Sequence, residues 1–159
     1  MRMTNSQYAE VFDRTSGLGV VRACVDLVVT SQKGIALVKR SIPPQVGAWH
    51  LPGGKIESGE SFEEFAARTA HHDLGIEVEI VGAVGGMNFP AEKSTMEIDG
   101  VECEIIVHSM SVVLHCRAKS LDIRGSAEWK NVGWFTAAPI PAHSIHIPWL
   151  LEHSFFTPA

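Results

Sequence analysis

Residues 49–76, WHLPGGKIESGESFEEFAARTAHHDLGI, gather acids, an imidazole and a guanidinium into one short span interrupted by glycines. Glu57, Glu60 and Asp73 are oxygen donors of the kind a hard divalent cation selects. His72 can move a proton near neutral pH, and Arg68 can grip a carboxylate through a two-pronged contact. Gly53, Gly54 and Gly59, without side chains, let backbone groups approach a ligand or turn a carbonyl toward a metal.

These side chains need a rigid support, and the spacing predicts a helix over 62–74. Ser61 followed by Glu64 forms a capping box, in which each side chain satisfies a backbone N–H of the other. Gly75 is suited to the left-handed position that ends a helix, with Ile76 packing back on the last turn. Phe62, Phe65, Ala66, Ala70 and Leu74 fall on one side and are the expected buried face. Glu64, Arg68 and His72 stack on the other side, with Thr69 and Asp73 beside them.

This pattern resembles the Nudix box. That motif runs glycine, five residues, glutamate, seven residues, then arginine, glutamate, an apolar residue, any residue, two glutamates, any residue, glycine and an apolar residue. Here it reads Gly54, five residues, Glu60, seven residues, then Arg68, Thr69, Ala70, His71, His72, Asp73, Leu74, Gly75 and Ile76. The spacing is intact while the chemistry is altered: Thr69 and His72 replace two helix glutamates, and Asp73 stands for the third. Gly54, Glu60 and Gly75 are the expected structural residues of the box.

The altered box is similar to that of the GDP-mannose mannosyl hydrolases, a Nudix branch that also lacks the first two helix glutamates and uses a single Mg²⁺. Outside the box the similarity takes in Lys39-Arg40, the proline-containing link to Gly47, Trp49, and Glu128 ahead of Trp134-Phe135-Thr136. It implies Mg²⁺ or Mn²⁺ held by the Gly53 carbonyl, Asp73 and Glu128. Arg40 and Lys55 would lie near the phosphates, and Trp49 is either a stacking surface for substrate or a half-buried core residue. The resemblance also implies an α/β/α sandwich with a mixed β-sheet between helices, and in many members a homodimer.

Three functions follow. The first is Mg²⁺-dependent hydrolysis of a nucleoside diphosphate sugar. A cation with Arg40 and Lys55 would stabilise the departing diphosphate, and attack of water on the sugar carbon needs fewer metals than attack on phosphorus. The second is pyrophosphohydrolysis of nucleoside triphosphates, with the box partly repaired by Glu57, Glu60 and Glu128. The third is a non-catalytic nucleotide or nucleotide-sugar binder. Where the mannosyl hydrolases carry their histidine base this chain has Trp129, leaving His72, His143, His146 and Glu128 as candidates. Arg68 is expected to orient Glu60 more than to touch substrate.

At 159 residues the chain is expected to form one domain over 1–159, with an N-terminal extension at 1–19 and the box at 53–76. Thirteen basic residues against eighteen acidic ones disfavour a nucleic-acid surface, so the expected ligand is a small molecule. Cys24, Cys103 and Cys116 lack C-x-x-C spacing and are expected as reduced thiols of a cytoplasmic protein. No segment has the length and apolarity of a membrane span or a signal peptide.

Along the rest of the chain, a short helix is expected at 6–12 and a strand at 20–30, buried on both faces and carrying Asp26 in a structural role. A turn at 31–34 leads to a strand at 35–39, then a loop at 41–48. A bent strand is expected at 77–89, and a polar stretch at 90–100 is either a substrate-reading loop or a solvated hairpin tip. A long strand at 101–118 carries His108 and His115 as non-ligands. A loop at 121–130, a short strand at 132–135 and a C-terminal helix within 142–153 complete the chain.

Overall fold

The computed structural model describes residues 20–42, 45–98, 100–127 and 129–156. They fall into two compact units, a larger one of Cys24–Met87 with the chain from Ser111 onward, and a smaller one of Asn88–Met110 with the chain up to Ala23. The expected helix at 6–12 and the metal ligand Glu128 lie outside the described residues.

The elements run β1 (Val20–Ser31), β2 (Gly34–Lys39), β3 (Trp49–His50), β4 (Gly53–Lys55), α1 (Phe62–Leu74), β5 (Val78–Asn88), β6 (Glu92–Ile98), β7 (Val101–Ala118), β8 (Val132–Phe135) and α2 (His146–Glu152). Strand order is β3-β2-β1-β7-β5, with β4 joined to β1, β8 to β2 and β6 to β7. The β1–β2 hairpin closes on Gln32-Lys33, pairing Ser31 with Gly34 and Thr30 with Ile35. Gly34 has φ 110°, and a Cβ there would lie 2.1 Å from the Phe135 carbonyl oxygen, so both conformation and the approach of β8 require glycine.

Alternation along β1 sets up the layers. Val25, Leu27 and Val29 join Ala36 and Val38 of β2 in the core beneath Phe65, Ala66, Ala70 and Leu74 of α1. Asp26 and Val28, pointing the other way, are buried as well, so β1 is covered on both faces as its apolar density predicts. His146 of α2 approaches Asp26, which places α2 on the face opposite α1. The expected α/β/α layering is therefore present. Among the described residues, no helix is long and apolar enough to cross a membrane.

Several local expectations are corrected. Gly53 and Gly54 belong to a short strand, β4, whose register on β1 pairs Asp26 with Gly53 and Val25 with Gly54. The stretch after Pro90 is no irregular loop: Glu92–Ile98 pairs in register with Val101–Val107, the hairpin alternative. Its polar side chains face water, and Lys93 reaches Glu104 at 3.0 Å, so it lacks the apolar alternation by which a half-buried strand is recognised. Phe62, placed on the buried face by spacing, is 40% exposed because it opens the helix beyond the edge of the core. Thr69 and Asp73 are buried in its stead.

Candidate functional site

The capping box forms as the sequence predicts. Glu64 N–H donates to Ser61 Oγ at 3.1 Å, and Ser61 N–H donates to the Glu64 carboxylate at 2.9 Å. Gly75 ends the helix at φ 68°, its N–H returning to the His71 carbonyl at 3.0 Å. With both ends fixed, the side chains between them have defined places.

Arg68 turns back to Glu60 in a bidentate contact, Nε to Oε1 at 2.6 Å and Nη2 to Oε2 at 2.9 Å. Glu60 Oε2 also accepts from Glu57 N–H at 2.9 Å. Those hydrogen bonds, the one from Arg68 above all, hold the Glu60 carboxyl down at about 2. The Arg68 guanidinium is raised in turn by Glu60, with further support from Glu57 and Asp73. Arg68 thus organises box carboxylates, as expected, and Glu60 is a structural anchor for the loop ahead of the helix.

One turn on, His72 Nδ1 lies 2.7 Å from Asp73 Oδ1. Asp73 is buried, as is Thr69, whereas the His72 side chain is half exposed. The site offers a cation hard oxygen chemistry through Asp73, the one buried acid of α1. Among the described residues no three His, Cys, Asp or Glu side chains converge as a metal cage.

Gly53 is held against β1. A Cβ on it would meet Asp26 Oδ1 at 2.3 Å and the Val25 carbonyl oxygen at 2.6 Å, whereas one on Gly54 would meet nothing within 4 Å. Gly54, expected as a structural glycine of the box, is thus under no steric demand in the chain itself. Lys55 follows, exposed on β4 opposite Cys24.

The remaining expected residues gather where β3 meets the chain ahead of α2. Trp49 packs on Phe135, centroids 4.7 Å apart, with Lys39 Nζ 5.6 Å above its ring. Its N–H and carbonyl pair with the Pro141 carbonyl and the His143 N–H, and the residue is half buried. Next to it lie His50, His143 and His146, with ring centroids 4.2–6.2 Å apart. Trp129 meets His50 edge-on at 5.1 Å, so the residue at the place of the family's histidine is a core side chain. Ser111 Oγ donates to Asp26 Oδ2 at 2.5 Å, and His146 Nε2 is 3.7 Å from Asp26 Oδ1.

Burial governs charge here. It pushes the Asp26 carboxyl up to about 7 against the lowering effect of Ser111. It also lowers His50 and His143 to about 4, with the Arg40 charge contributing, and takes His146 well below its ordinary value. His143 and His146 are therefore packed within the protein, which leaves the half-exposed His72 as the histidine candidate for a base. His50 and Asp26 are the residues that sequence reasoning did not place in a functional group. Leu51 N–H and the His146 ring that binds it are 95 positions apart, a separation no local pattern reports.

The family model for the NUDIX domain matches residues 20–152. Among curated proteins, the low-salt glycan biosynthesis protein Agl8 of Haloferax volcanii is 31% identical over 78 residues, 49% of this chain and 49% of that protein. An ADP-ribose pyrophosphatase of Methanocaldococcus jannaschii is 32% identical over 66 residues, 42% of this chain and 39% of that protein. These matches span about half the relatives' length or less. A solved NUDIX hydrolase from Nitrosomonas europaea superposes with a TM-score of 0.64 at 23% identity, covering 84% of this chain and 70% of that one, a likeness of fold.

Proposed function

The chain belongs to the NUDIX domain family, and from that premise we propose that it hydrolyses a nucleoside diphosphate derivative, with a nucleoside diphosphate sugar as the favoured substrate class. The observation that carries this reading is the box helix: its spacing, cap and Arg68–Glu60 anchor are complete, yet Asp73 is its one buried acid. A site with so few carboxylates suits departure of an intact diphosphate better than cleavage between phosphates. The similarity to Agl8, named for glycan biosynthesis, supports a sugar-linked substrate.

Asp73, the Gly53 carbonyl and Glu128 would hold one Mg²⁺ or Mn²⁺, which when bound supplies neutralisation of diphosphate charge. Lys55, exposed on β4, and Arg40 add positive charge for the same group. His72, hydrogen-bonded to Asp73 and half exposed, would accept a proton from water. Arg68 orients Glu60 and the loop between Glu57 and the helix.

A second reading, hydrolysis at phosphorus, is favoured by the relative named an ADP-ribose pyrophosphatase. A panel of nucleotide sugars and nucleoside triphosphates, incubated with Mg²⁺ or Mn²⁺ and resolved by chromatography, separates the readings. Free sugar with nucleoside diphosphate supports the first; sugar phosphate with monophosphate supports the second. Binding without turnover overturns both in favour of a non-catalytic nucleotide binder. Light scattering on the same sample tests the homodimer that the family resemblance implies.

A further inference from the structure

The backbone partners of the buried imidazoles assign their tautomers. Leu51 N–H donates to His146 Nδ1 at 3.0 Å. The N–H groups of Ile145 and His146 donate to His143 Nδ1 at 3.2 and 3.3 Å. His146 therefore carries a lone pair on Nδ1 and its proton on Nε2; in His143 the two N–H groups at Nδ1 outweigh the long 3.5 Å approach of the Gln45 Nε2 donor to Nε2 and give the same tautomer. His50 is the opposite tautomer, since its Nδ1–H donates to the Leu51 carbonyl at 2.7 Å, leaving Nε2 a buried acceptor without a hydrogen-bond partner among the described residues. Both backbone groups of Leu51 are thus held by imidazole, one ring from β3 and one from α2. Pro52, next in the chain, is tied by its carbonyl to Leu27 N–H at 2.8 Å, and Gly53 follows.

The same tautomers argue against a metal at this cluster. A neutral imidazole that ligates through Nε2 must carry its proton on Nδ1, and in His143 and His146 that atom is already an acceptor.

We propose that His143 and His146 form an acid-labile clasp: two neutral imidazoles fasten the C-terminal helix to the Leu51-Pro52 turn and thereby position the strand that begins at Gly53. His143 ties the start of α2, and His146 ties α2 to the turn. Protonation of either ring puts a proton on Nδ1, facing the backbone N–H it formerly accepted, so the bond becomes a clash of donors. His50 differs, because a second proton leaves its Nδ1–H bond to Leu51 in place.

The groups facing the two rings come from every neighbouring element: Asp26 of β1, Arg40 at the end of β2, His50 of β3, and Gln45 of the loop, whose Nε2 is 3.5 Å from His143 Nε2. Arg40 and the neighbouring imidazoles disfavour added positive charge, and Asp26 when ionised favours it. Burial is the larger influence and keeps the clasp shut at neutral pH. The importance of Gly53 rests on the proposed hydrolase reading, but the bonds of the clasp do not.

The test uses the whole, ligand-free protein. Nitrogen-15 spectra of the imidazoles at pH 7 are expected to show Nδ1 unprotonated in His143 and His146; an Nδ1–H in either ring overturns the clasp without any variant. Amide exchange at Leu51, corrected for intrinsic rate, is expected to lose about tenfold protection or more between pH 7 and pH 4. An asparagine Oδ1 can stand where Nδ1 stood and does not titrate. The His143→Asn/His146→Asn protein should therefore keep Leu51 protection within about threefold over that range, while His146→Leu should lose it already at pH 7.5. Equal acid loss in the double variant, or full protection in His146→Leu, overturns the proposal. Either result leaves the hydrolase reading untouched, just as a silent substrate panel would leave the clasp standing.

Discussion

The two sides of β1 treat charge in opposite ways. On the side of α1, Arg68 and Glu60 meet where the Arg68 side chain is 49% exposed, and both are driven toward their charged forms. On the side of α2, Asp26 and His146 are buried and driven toward their neutral forms, and so are His143 and His50, the latter at the sheet edge on the face of its strand partner Val38. The contact of His146 with Asp26 at 3.7 Å is accordingly a weak polar approach rather than an ion pair. The difference teaches that residue type alone does not set charge: a carboxylate with an arginine fork and water is held near 2, and one beneath a sheet rises to about 7. The α1 side is built to face charged chemistry, and the α2 side to hold backbone in place.

The largest expected effect tests that division. Asp73 is buried like Asp26, yet it belongs to the helix of ionised groups, and the proposed function needs it as an anion. Asp73→Asn should lower metal-dependent turnover at least about a hundredfold while the protein stays folded. Steady-state rates at saturating substrate, with circular dichroism as the folding control, check this. Unchanged rates would remove Asp73 from the mechanism and blur the contrast between the two faces.

The α2 side makes a prediction in pH. As pH falls below 6.5 the unfolded chain protonates its imidazoles, whereas folded His50 resists to about 4, so stability is lost across that window, ~3 kcal/mol from His50 alone. Asp26 acts in the other direction. Its folded value of about 7 against 3.8 means the native state takes the proton first, which adds ~4 kcal/mol between pH 7 and 3.8. Asp26 offsets only part of the imidazole loss, because His143, lowered to about 4 as His50 is, and His146 add to it, so wild type should itself lose stability as pH falls. Asp26→Asn removes the gain and should expose a steep loss, seen as a falling urea midpoint from pH 7 to pH 4. Glu60→Gln should not alter the slope of the curve above pH 4.5, because the Glu60 contribution is constant there and is lost only as pH drops toward about 2. An Asp26→Asn curve with the slope of wild type would mean that the Asp26 carboxyl is not raised by burial.

Much of the α1 side was legible in the sequence because its signals are local. The Ser61–Glu64 cap, Gly75 and the apolar spacing lie within fifteen residues and predict Phe62–Leu74 to the residue. The strands at β7 and β8 likewise follow from runs of apolar and β-branched side chains. On the α2 side the determinants are distant pairings. His50 packs beside His143 and His146, and Asp26 meets Ser111 across 85 positions, so each histidine read singly looks like a free base. The paired glycines of β4 read as a turn because glycine permits one; what Gly53 does is allow close contact with β1, visible only once the register is known.

Gly53 and Gly54 carry the comparison down to adjacent residues. Gly53→Ala would drive a methyl into Asp26 Oδ1 and the Val25 carbonyl, two groups of a central strand with little room to move. A loss of about 1–3 kcal/mol is expected, measured by urea unfolding at pH 7. A loss under about 0.5 kcal/mol, the range of an ordinary surface change, would show that β4 can lift from β1.

The smallest expected effect belongs to its neighbour. A methyl on Gly54 enters open space, and the backbone there is not in the left-handed region, so the folded state bears no cost. Alanine also narrows the unfolded ensemble, and Gly54→Ala should leave stability unchanged or higher by about 0.5 kcal/mol. Under the proposed function, the diphosphate would use the space above β4. The expected outcome is unchanged unfolding with weakened binding of a nucleoside diphosphate, read by calorimetry on one sample. Unchanged unfolding with unchanged binding would place the diphosphate away from β4 and leave Lys55, next along the strand, without its assigned role.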